Sequence, residues 1–303
     1  MSEPDEFSHQ YASINGLRYH YVREPAPGRG PVWARPGGSR PTLLLIHGWP
    51  GFHYEWHLNI KPLAQQFDVV VPDMRGFGKT DKPDLPPEEA YADSVFAEDL
   101  RALVQHLGID KVSIVSHDFG SVWTQRFART HRDMIDKLVF FQPVYPGIGA
   151  RWFGPERVSE IWYIMFHQLS WADELVGSST RATEIYLRHF LSHWSYDKEL
   201  WTDGEVQRFV EAFSQPGALR GGFNCYRAMF RTVGQGQGDD PKIYAPTLVF
   251  WAENDPILPL AWSDKLPEFF PNLTLRTVPE CGHWVQREKP DLVNQAVAEF
   301  IVS

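Results

Sequence analysis

Residues 111–120 read KVSIVSHDFG, where an apolar run meets a helical pattern through a short polar stretch. The run is typical of a buried strand and ends at position 115, and helical spacing resumes soon after Gly120. Ser116 and Gly120 are small, as a sharp turn from strand to helix requires, because that turn leaves no room for side chains. Such an elbow pushes its central side chain beyond the sheet and points helix amide groups at it. The central residue here is Asp118.

Apolar runs and helical patterns alternate on both sides of this elbow. A hairpin is predicted from residues 11–14 and 17–22 around the turn pair Asn15-Gly16. Short apolar strands that alternate with helices predict an α/β protein, with a mostly parallel sheet covered by helices on both faces. Beyond the hairpin, the predicted strands are 42–46, 68–71, 112–115, 137–141, 247–251 and 273–278, and the predicted helices include 94–107, 122–132 and 290–301.

A helical, aromatic-rich sequence interrupts the strand pattern after the fourth of these parallel strands. An insertion after the carboxyl end of a strand lies over the edge where parallel sheets bind ligands. We therefore predict a core of residues 1–143 and 246–303 and a helical lid of residues 144–245. An ordinary helical subdomain with no role at the site is the alternative. Residues 24–40, rich in Pro, Gly and Arg, are predicted to form a surface loop.

Composition excludes several classes of protein. The 303 residues carry 29 Lys and Arg against 38 Asp and Glu, a formal charge of −9 that disfavours nucleic acid and anionic lipid as main partners. No run approaches the roughly 18 apolar residues of a membrane span, and the start lacks a signal-peptide pattern. Cys225 and Cys281 are too few for a disulfide framework. We therefore expect a cytoplasmic protein, with 12 Trp, 11 Tyr and 20 Phe available for an apolar pocket.

Asp118 stands where serine is usual in such an elbow, and this residue determines the expected chemistry. A carboxylate that attacks an acyl carbon gives an anhydride, which is a poor intermediate. A carboxylate that attacks a saturated carbon displaces a leaving group and leaves an ordinary ester. The predicted substrate therefore contains an electrophilic sp3 carbon, as in an epoxide or an alkyl halide. The competing interpretation is that Asp118 only caps the following helix, a position where Asp is common.

Hydrolysis of such an ester needs a base, and an imidazole base needs a carboxylate that holds its tautomer. His283 follows the last predicted strand in the sequence ECGHW, and we predict that it is the general base. Asp255 follows the preceding strand in WAENDP and is the predicted orienting acid. Glu253 is the reserve candidate for this role.

Two backbone amides are predicted to form an oxyanion hole. One belongs to Phe119, beside the nucleophile, and the other to Trp49 in the loop HGWPG that follows strand 42–46. Gly48 permits a close approach of that loop, and a cis bond before Pro50 is expected to fix it. A plain turn is the alternative for this loop.

Two patterns that imitate ligand sites are rejected. The sequence GKT at 78–80 resembles the end of a phosphate loop, but the residue five before Gly78 is Asp73 rather than Gly. His47, His53 and His57 lie close in sequence but lack an HExxH helix or a nearby pair of carboxylates. We therefore predict no metal and no cofactor.

These residues resemble the α/β-hydrolase superfamily, and within it the epoxide hydrolases. The order Asp118, Asp255, His283 is the nucleophile–acid–histidine order of that superfamily. The resemblance implies an eight-stranded, mostly parallel sheet with the lid inserted after the sixth strand. It also implies that water converts a small apolar epoxide to a vicinal diol through an aspartyl alkyl-enzyme ester. The resemblance covers nearly the whole chain. The motifs on which it rests are HGWPGFHYEW at 47–56, PDMRGFGKTDKP at 72–83, SHDFGS at 116–121, WAENDP at 251–256 and CGHWVQREKP at 281–290.

The resemblance also implies roles for residues in the lid. Epoxide opening releases an alkoxide, and epoxide hydrolases place two lid tyrosines at that oxygen. The matching contexts are WYIMF and FNCYR, so the roles fall on Tyr163 and Tyr226, the alternative being that each hydroxyl serves only lid packing. Trp162, Phe166 and Trp284 are the expected apolar walls of the substrate pocket.

Other functions share most of these motifs. Haloalkane dehalogenases carry Trp directly after the nucleophile, and fluoroacetate dehalogenases carry Arg one and four residues after it, where this chain has Phe119 and Val122. Dehalogenation of haloalkanes or haloacids is the first alternative, and a non-catalytic ligand-binding relative is the second. Some relatives place the orienting acid after the sixth strand, where this chain has the uncharged Gln142. The oligomeric state stays open, with a homodimer as one arrangement.

Overall fold

The computed structural model describes residues 6–25, 41–232 and 242–303 of the chain. From residue 26 onward, the loop predicted at 24–40 lies outside these described residues. The strands are β1 (His9–Ile14), β2 (Leu17–Glu24), β3 (Thr42–Ile46), β4 (Asp68–Pro72), β5 (Val112–His117), β6 (Ile135–Phe141), β7 (Thr247–Ala252) and β8 (Leu273–Val278).

These strands form one eight-stranded sheet in the order β1-β2-β4-β3-β5-β6-β7-β8. The pairs β1–β2 and β2–β4 are antiparallel, and the other neighbours are parallel. The turn between β1 and β2 is formed by Asn15 and Gly16, both with positive φ, as a tight hairpin turn requires. The predicted mostly parallel sheet of eight strands is therefore confirmed.

Helices pack on both faces of the sheet. The helix predicted at 122–132 starts too late, because α4 follows the elbow directly and begins at Phe119. The helices are α1 (Ile60–Ala64), α2 (Pro87–Ala90), α3 (Asp93–His106), α4 (Phe119–Thr130), α5 (Val158–Phe166), α6 (Ala172–Val176), α7 (Thr180–Trp194), α8 (Asp203–Phe213), α9 (Ala218–Thr232), α10 (Leu266–Phe269), α11 (Val285–Glu288) and α12 (Pro290–Val302). Short 3-10 helices cover His53–Trp56, Arg132–Met134, Pro146–Phe153, Pro155–Arg157 and Leu260–Lys265.

The sheet separates two hydrophobic cores. In β3, Leu44 and Ile46 face one core, while Leu43 and Leu45 face the other, and all four are fully buried. Successive side chains of a strand point to opposite faces, so a strand that is apolar at every position can serve both cores. None of the helices in the described part of the chain has the length and apolar character needed to cross a bilayer.

Helices α5–α9 lie between β6 and β7, and no described residue of that interval forms a strand. We call residues 144–245 the helical insertion. Its helix α9 comes very close to the core: a methyl group on Gly221 would lie 2.6 Å from the carbonyl oxygen of Gly76. A methyl group on Gly222 would lie 3.0 Å from the indole Nε1 of Trp49. The insertion therefore docks on the loops that follow β3 and β4, at the carboxyl edge of the sheet.

Candidate active site

Asp118 occupies the sharp turn between β5 and α4. Its backbone has φ 50° and ψ −122°, a conformation that costs a residue with a side chain about 1–3 kcal/mol. A methyl group on Gly120 would lie 2.6 Å from the carbonyl oxygen of Ile46, so the turn requires a very small residue there. The Asp118 side chain makes no capping hydrogen bond to α4. This geometry contradicts the alternative in which Asp118 only caps the helix.

The loop after β3 presents a backbone amide to this carboxylate. The N–H of Trp49 donates to Asp118 Oδ1 at 2.9 Å. A methyl group on Gly48 would lie 2.4 Å from the Asp118 Cβ, so only glycine allows the loop to come this close. The peptide bond between Trp49 and Pro50 is cis, as expected from the sequence. Phe119 carries the first amide of α4, which has no acceptor within the helix.

His283 lies on the other side of the Asp118 carboxylate. Its Nε2 is 3.7 Å from Asp118 Oδ2, and its Nδ1 donates to Asp255 Oδ2 at 2.7 Å. This second bond fixes the tautomer, because the proton on Nδ1 leaves Nε2 with a lone pair. Nε2 is buried and makes no hydrogen bond with any described residue. The imidazole is therefore oriented to take a proton beside Asp118.

Asp255 is held by several donors. Its Oδ1 accepts from the backbone N–H of Ile257 at 2.7 Å, and its Oδ2 also accepts from Gln142 Nε2 at 2.5 Å. Gln142 follows β6, so a neutral amide occupies the place where some relatives carry the acid, and it supports Asp255 instead. The reserve candidate Glu253 is exposed to solvent. The structure thus places Asp255, and not Glu253, beside the imidazole.

The pKa values of this pair follow from their mutual attraction. Burial alone would raise the pKa of Asp255, but the charge and hydrogen bond of His283, with the bond from Gln142, lower it below its ordinary value. Burial alone would lower the pKa of His283, but Asp255 and then Asp118 raise it above its ordinary value. The dyad therefore favours a carboxylate on Asp255 and a proton-accepting imidazole on His283.

Tyr163 on α5 and Tyr226 on α9 meet above the elbow. Their rings are 5.6 Å apart and almost perpendicular, and both contact the indole of Trp49. Burial raises the pKa of both hydroxyls well above the ordinary value, and the negative charge of Asp118 adds to the rise. Both groups therefore stay protonated and can donate a hydrogen bond at neutral pH. Phe119 also contacts the Tyr226 ring, at 4.7 Å between centroids.

The three aromatics predicted as pocket walls occupy different places. Trp284 is fully buried behind the imidazole, with its ring 5.4 Å from that of His283. Trp162 keeps 40% of its surface exposed, because it lies one residue before Tyr163 and on another side of α5. Phe166 is half-buried and contacts Trp162 and Tyr186 rather than Trp49.

Other aromatics, not predicted from the sequence, surround the two tyrosines and the imidazole. Trp194 on α7 contacts His283 at 4.9 Å, and Phe190, one turn earlier, contacts Trp49 at 4.8 Å between ring centroids. His167 is fully buried and contacts Trp49 and Tyr226. Phe190 and Trp194 belong to an apolar stripe of α7 that was visible in the sequence, but only the fold shows that it faces the elbow.

One group of side chains has the residue types of a metal site. Ligand atoms of His20, His53 and Asp73 lie within 4.8 Å of one another, and all three residues are buried. Both carboxylate oxygens of Asp73 already accept hydrogen bonds, Oδ2 from His20 at 2.6 Å and Oδ1 from His53 at 2.8 Å. Burial would raise the pKa of Asp73, but His53 and His20 hold it well below its ordinary value. The sequence does not indicate this group, because β2 and the loops after β3 and β4 meet only in the fold.

The arrangement around Asp118 can carry out a displacement in two stages. The Trp49 amide binds Oδ1, which leaves Oδ2 to attack an electrophilic carbon. The ester that results can be hydrolysed by a water that gives its proton to Nε2 of His283. Tyr163 and Tyr226 can donate to an oxygen that leaves during the first stage.

Comparisons with known proteins agree with this geometry. The sequence pattern of the alpha/beta hydrolase fold matches residues 41–290, and the chain belongs to the α/β-hydrolase family. Within that family it belongs to the epoxide hydrolase branch. It is 32% identical to the soluble epoxide hydrolase of Corynebacterium sp. (strain C12), an alignment that covers 97% of each chain. It is 27% identical to epoxide hydrolase 4 of Homo sapiens, over 99% of this chain and 81% of that one.

One solved structure supports the same branch, and a second supports the fold. The structure of the epoxide hydrolase CorEH without ligand has a TM-score of 0.79 and 30% sequence identity, and the match covers 97% of this chain and 98% of that one. An epoxide hydrolase of Bacillus megaterium in complex with an inhibitor has a TM-score of 0.81 at 22% identity, covering 97% of this chain and all of that one. This second match supports the fold alone.

Proposed function

We propose that this protein is an epoxide hydrolase that converts a small apolar epoxide and water to a vicinal diol, without a metal or cofactor. The observation that carries the proposal is the Asp118 carboxylate at the tip of the elbow, with His283 on one side of it and two protonated tyrosines above. The names of the relatives support the reaction type. The aromatic surroundings of the tyrosines support an apolar substrate.

In the first step, Asp118 Oδ2 attacks one oxirane carbon and the bond from that carbon to the ring oxygen breaks. Tyr226 and Tyr163 donate hydrogen bonds to the departing oxygen, and one of them transfers its proton, so the oxygen becomes the hydroxyl of the bound product and a tyrosinate remains. The step leaves an ester between the substrate carbon and Asp118, and it removes the negative charge of the carboxylate. It needs no base, so alkylation does not require the neutral form of His283.

In the second step, water attacks the Cγ of Asp118 while His283 Nε2 takes its proton. Asp255 stabilises the imidazolium that forms, as in other acid–histidine pairs. Negative charge develops on Oδ1, where the amides of Trp49 and Phe119 are the proposed donors. Each such donor contributes about 3 kcal/mol in comparable sites. Collapse of the intermediate breaks the bond between Cγ and the substrate oxygen, which takes the proton held by His283. The remaining proton of the water returns to the tyrosinate, so the diol leaves and the carboxylate is restored.

The wider assignments follow from this reaction. We propose that residues 144–245 act as a lid, because they supply both tyrosines and dock on the loop that binds Asp118. Among the predicted wall residues, Phe166 and Trp162 then lie behind Tyr186 and Phe190 and support the pocket wall indirectly. Trp284 supports the base.

The two cysteines, Cys225 and Cys281, are both buried and unpaired, which supports a reducing cytoplasm. We expect neither nucleic acid nor a membrane as a partner. A measurement of the mass of the protein in solution tests whether it forms a homodimer.

The test of the proposed function is capture of the ester. His283→Gln should react once with a reactive epoxide and stop, which gives a mass increase of one substrate per chain on Asp118. Asp118→Ala should give no adduct, and Tyr226→Phe should slow adduct formation without slowing ester hydrolysis. His131→Gln, which removes a histidine near the surface, is the control and should turn over normally. A His283→Gln enzyme that gains no mass with any of a panel of epoxides would contradict the proposal, and halide release from haloalkanes would favour dehalogenation.

A further inference from the structure

A second acid–histidine pair lies directly beside the catalytic loops. His117, the last residue of β5, precedes the nucleophile, and its Nδ1 is 2.8 Å from Glu55 Oε1. The other ring nitrogen, Nε2, donates to the backbone carbonyl oxygen of His283 at 3.0 Å. The side chain of Glu55 is buried, and that of His117 has no exposed surface. The rings of His117 and His283 are 4.6 Å apart.

This pair connects the three loops that carry the reacting groups. Glu55 lies in the loop after β3, six residues after Trp49, whose amide binds Asp118. His117 is the neighbour of Asp118, and His283 belongs to the loop after β8. Gln286 of α11, which follows that loop, donates from Nε2 to Glu55 Oε1 at 2.9 Å.

The protons of the pair are fixed by what each atom faces. The carbonyl of His283 can only accept, so His117 Nε2 carries a proton. Nδ1 faces the Glu55 carboxyl, so a second proton lies between these two groups. Oε2 of Glu55 occupies the space beside Gly51, where a methyl group would lie only 2.0 Å away, so this loop has room for the carboxyl only because residue 51 is glycine.

We propose that Glu55 and His117 are positioning residues, which hold the backbone of His283 so that its imidazole stays in reach of the water that hydrolyses the ester. This proposal rests on the proposed function. His283 is then held at three points. Asp255 binds the imidazole Nδ1, the carbonyl of Trp194 accepts from the backbone N–H of His283 at 2.7 Å, and His117 donates to the backbone carbonyl of His283. A displacement of about 1 Å in such a site costs on the order of 100-fold in rate.

A matched pair of substitutions isolates the contact with His283. His117→Asn keeps an amide N–H near the Nδ1 position, toward Glu55, and loses the donor at Nε2. His117→Gln keeps a donor near the Nε2 position, toward the His283 carbonyl. Glu98→Gln is the control, because Glu98 and His131 form a pair of the same 2.8 Å length in an exposed place. Rapid-quench mass spectrometry of each variant with an epoxide separates the alkylation rate from the hydrolysis rate.

We expect His117→Asn to slow ester hydrolysis about 10- to 100-fold and to leave alkylation within about twofold, so that the ester accumulates. His117→Gln should keep most of the hydrolysis rate. A merely structural role would lower both rates together through a loss of active enzyme, which titration of alkylated sites detects. Equal slowing of both steps in His117→Asn, or the same effect from His117→Gln, would overturn the proposal.

A second measurement needs no substrate. The proton between His283 Nδ1 and Asp255 is expected to give a downfield NMR signal whose shift reports the length of that bond. This signal should move in His117→Asn and stay in place in Glu98→Gln. An unchanged signal in a folded His117→Asn protein would overturn the positioning role. If His283→Gln forms no ester while this signal does move, the proposed function fails, but the contact by which His117 holds the backbone of His283 is still shown.

Discussion

The docking of α9 on the core yields a graded prediction from three glycines of the insertion. The nearest atom to a methyl group on Gly204 is 4.0 Å away, so this position has open space. The corresponding distance is 3.0 Å at Gly222, to the indole of Trp49, and 2.6 Å at Gly221, to the backbone oxygen of Gly76. We therefore predict that alanine is tolerated in the order Gly204, Gly222, Gly221.

The magnitudes combine two opposing contributions. Alanine favours a helix over glycine by about 0.5–1 kcal/mol, and overpacking costs about 1–3 kcal/mol. Gly204→Ala should therefore leave stability unchanged or raise it by about 0.5 kcal/mol. Gly222→Ala should cost about 1 kcal/mol, because several rings hold Trp49 in place. Gly221→Ala should cost about 2 kcal/mol, because a backbone carbonyl has to move.

Denaturant unfolding of the three variants measures these differences, and ester formation reports their effect on the site. Tyr226 follows Gly222 by one helical turn, so a displaced α9 should slow alkylation and leave hydrolysis of a preformed ester unchanged. Gly204→Ala is the matched control on α8 of the same insertion. If Gly221→Ala unfolds at the same denaturant concentration as Gly204→Ala, the close contact between α9 and the core does not exist in solution and the reasoning is refuted.

Two further predictions follow from charge. The pKa of His283 lies above the ordinary 6.5 because Asp255 and Asp118 attract the proton, so an NMR titration of the free enzyme should inflect above pH 6.5. Ester formation removes the Asp118 charge, which lowers the pKa of His283. The hydrolysis rate should therefore rise with pH around an inflection at lower pH than the inflection of the free enzyme, and an inflection at higher pH would contradict this account. The second prediction concerns Glu205, which caps α8 and forms an ion pair with Arg287. Burial alone would raise the pKa of Glu205, but His57, Thr202 and Arg287 lower it to about 2. Glu205→Gln should therefore lower the free energy of unfolding by about 2 kcal/mol at neutral pH. This loss should shrink as pH falls through 4.5 toward 2, and a loss that does not depend on pH would contradict the pairing.

The proposed reacting groups were predictable because each stands at a recognisable place in a local pattern. Asp118 is flanked by small residues after an apolar strand, and His283 and Asp255 each follow a strand of the same parallel sheet. Carboxyl ends of parallel strands meet at one edge, so three separate sequence segments could be assigned to one site. The start of α4 was misplaced because the positive φ of Asp118 allows the helix to begin at the next residue.

Residues that depend on contacts between loops were not predictable. Gln142 was noted as an uncharged replacement for an acid, but its bond to Asp255 depends on how β6 and β7 pair. Glu55 and His117 are 62 residues apart, and nothing in either segment indicates the other. Trp162 and Tyr163 are adjacent in sequence, yet a helix turns about 100° per residue, so only one of them faces the elbow.

The central claim is that the oxygen added to the epoxide comes from the Asp118 carboxylate, which water then restores. A single turnover in oxygen-18 water, with enzyme in excess over epoxide, tests this claim directly. We predict an unlabelled diol from the first turnover and one heavy oxygen in the peptide that contains Asp118. A first-turnover diol that carries the label, with an unlabelled Asp118 peptide, would show direct attack by water and contradict the account.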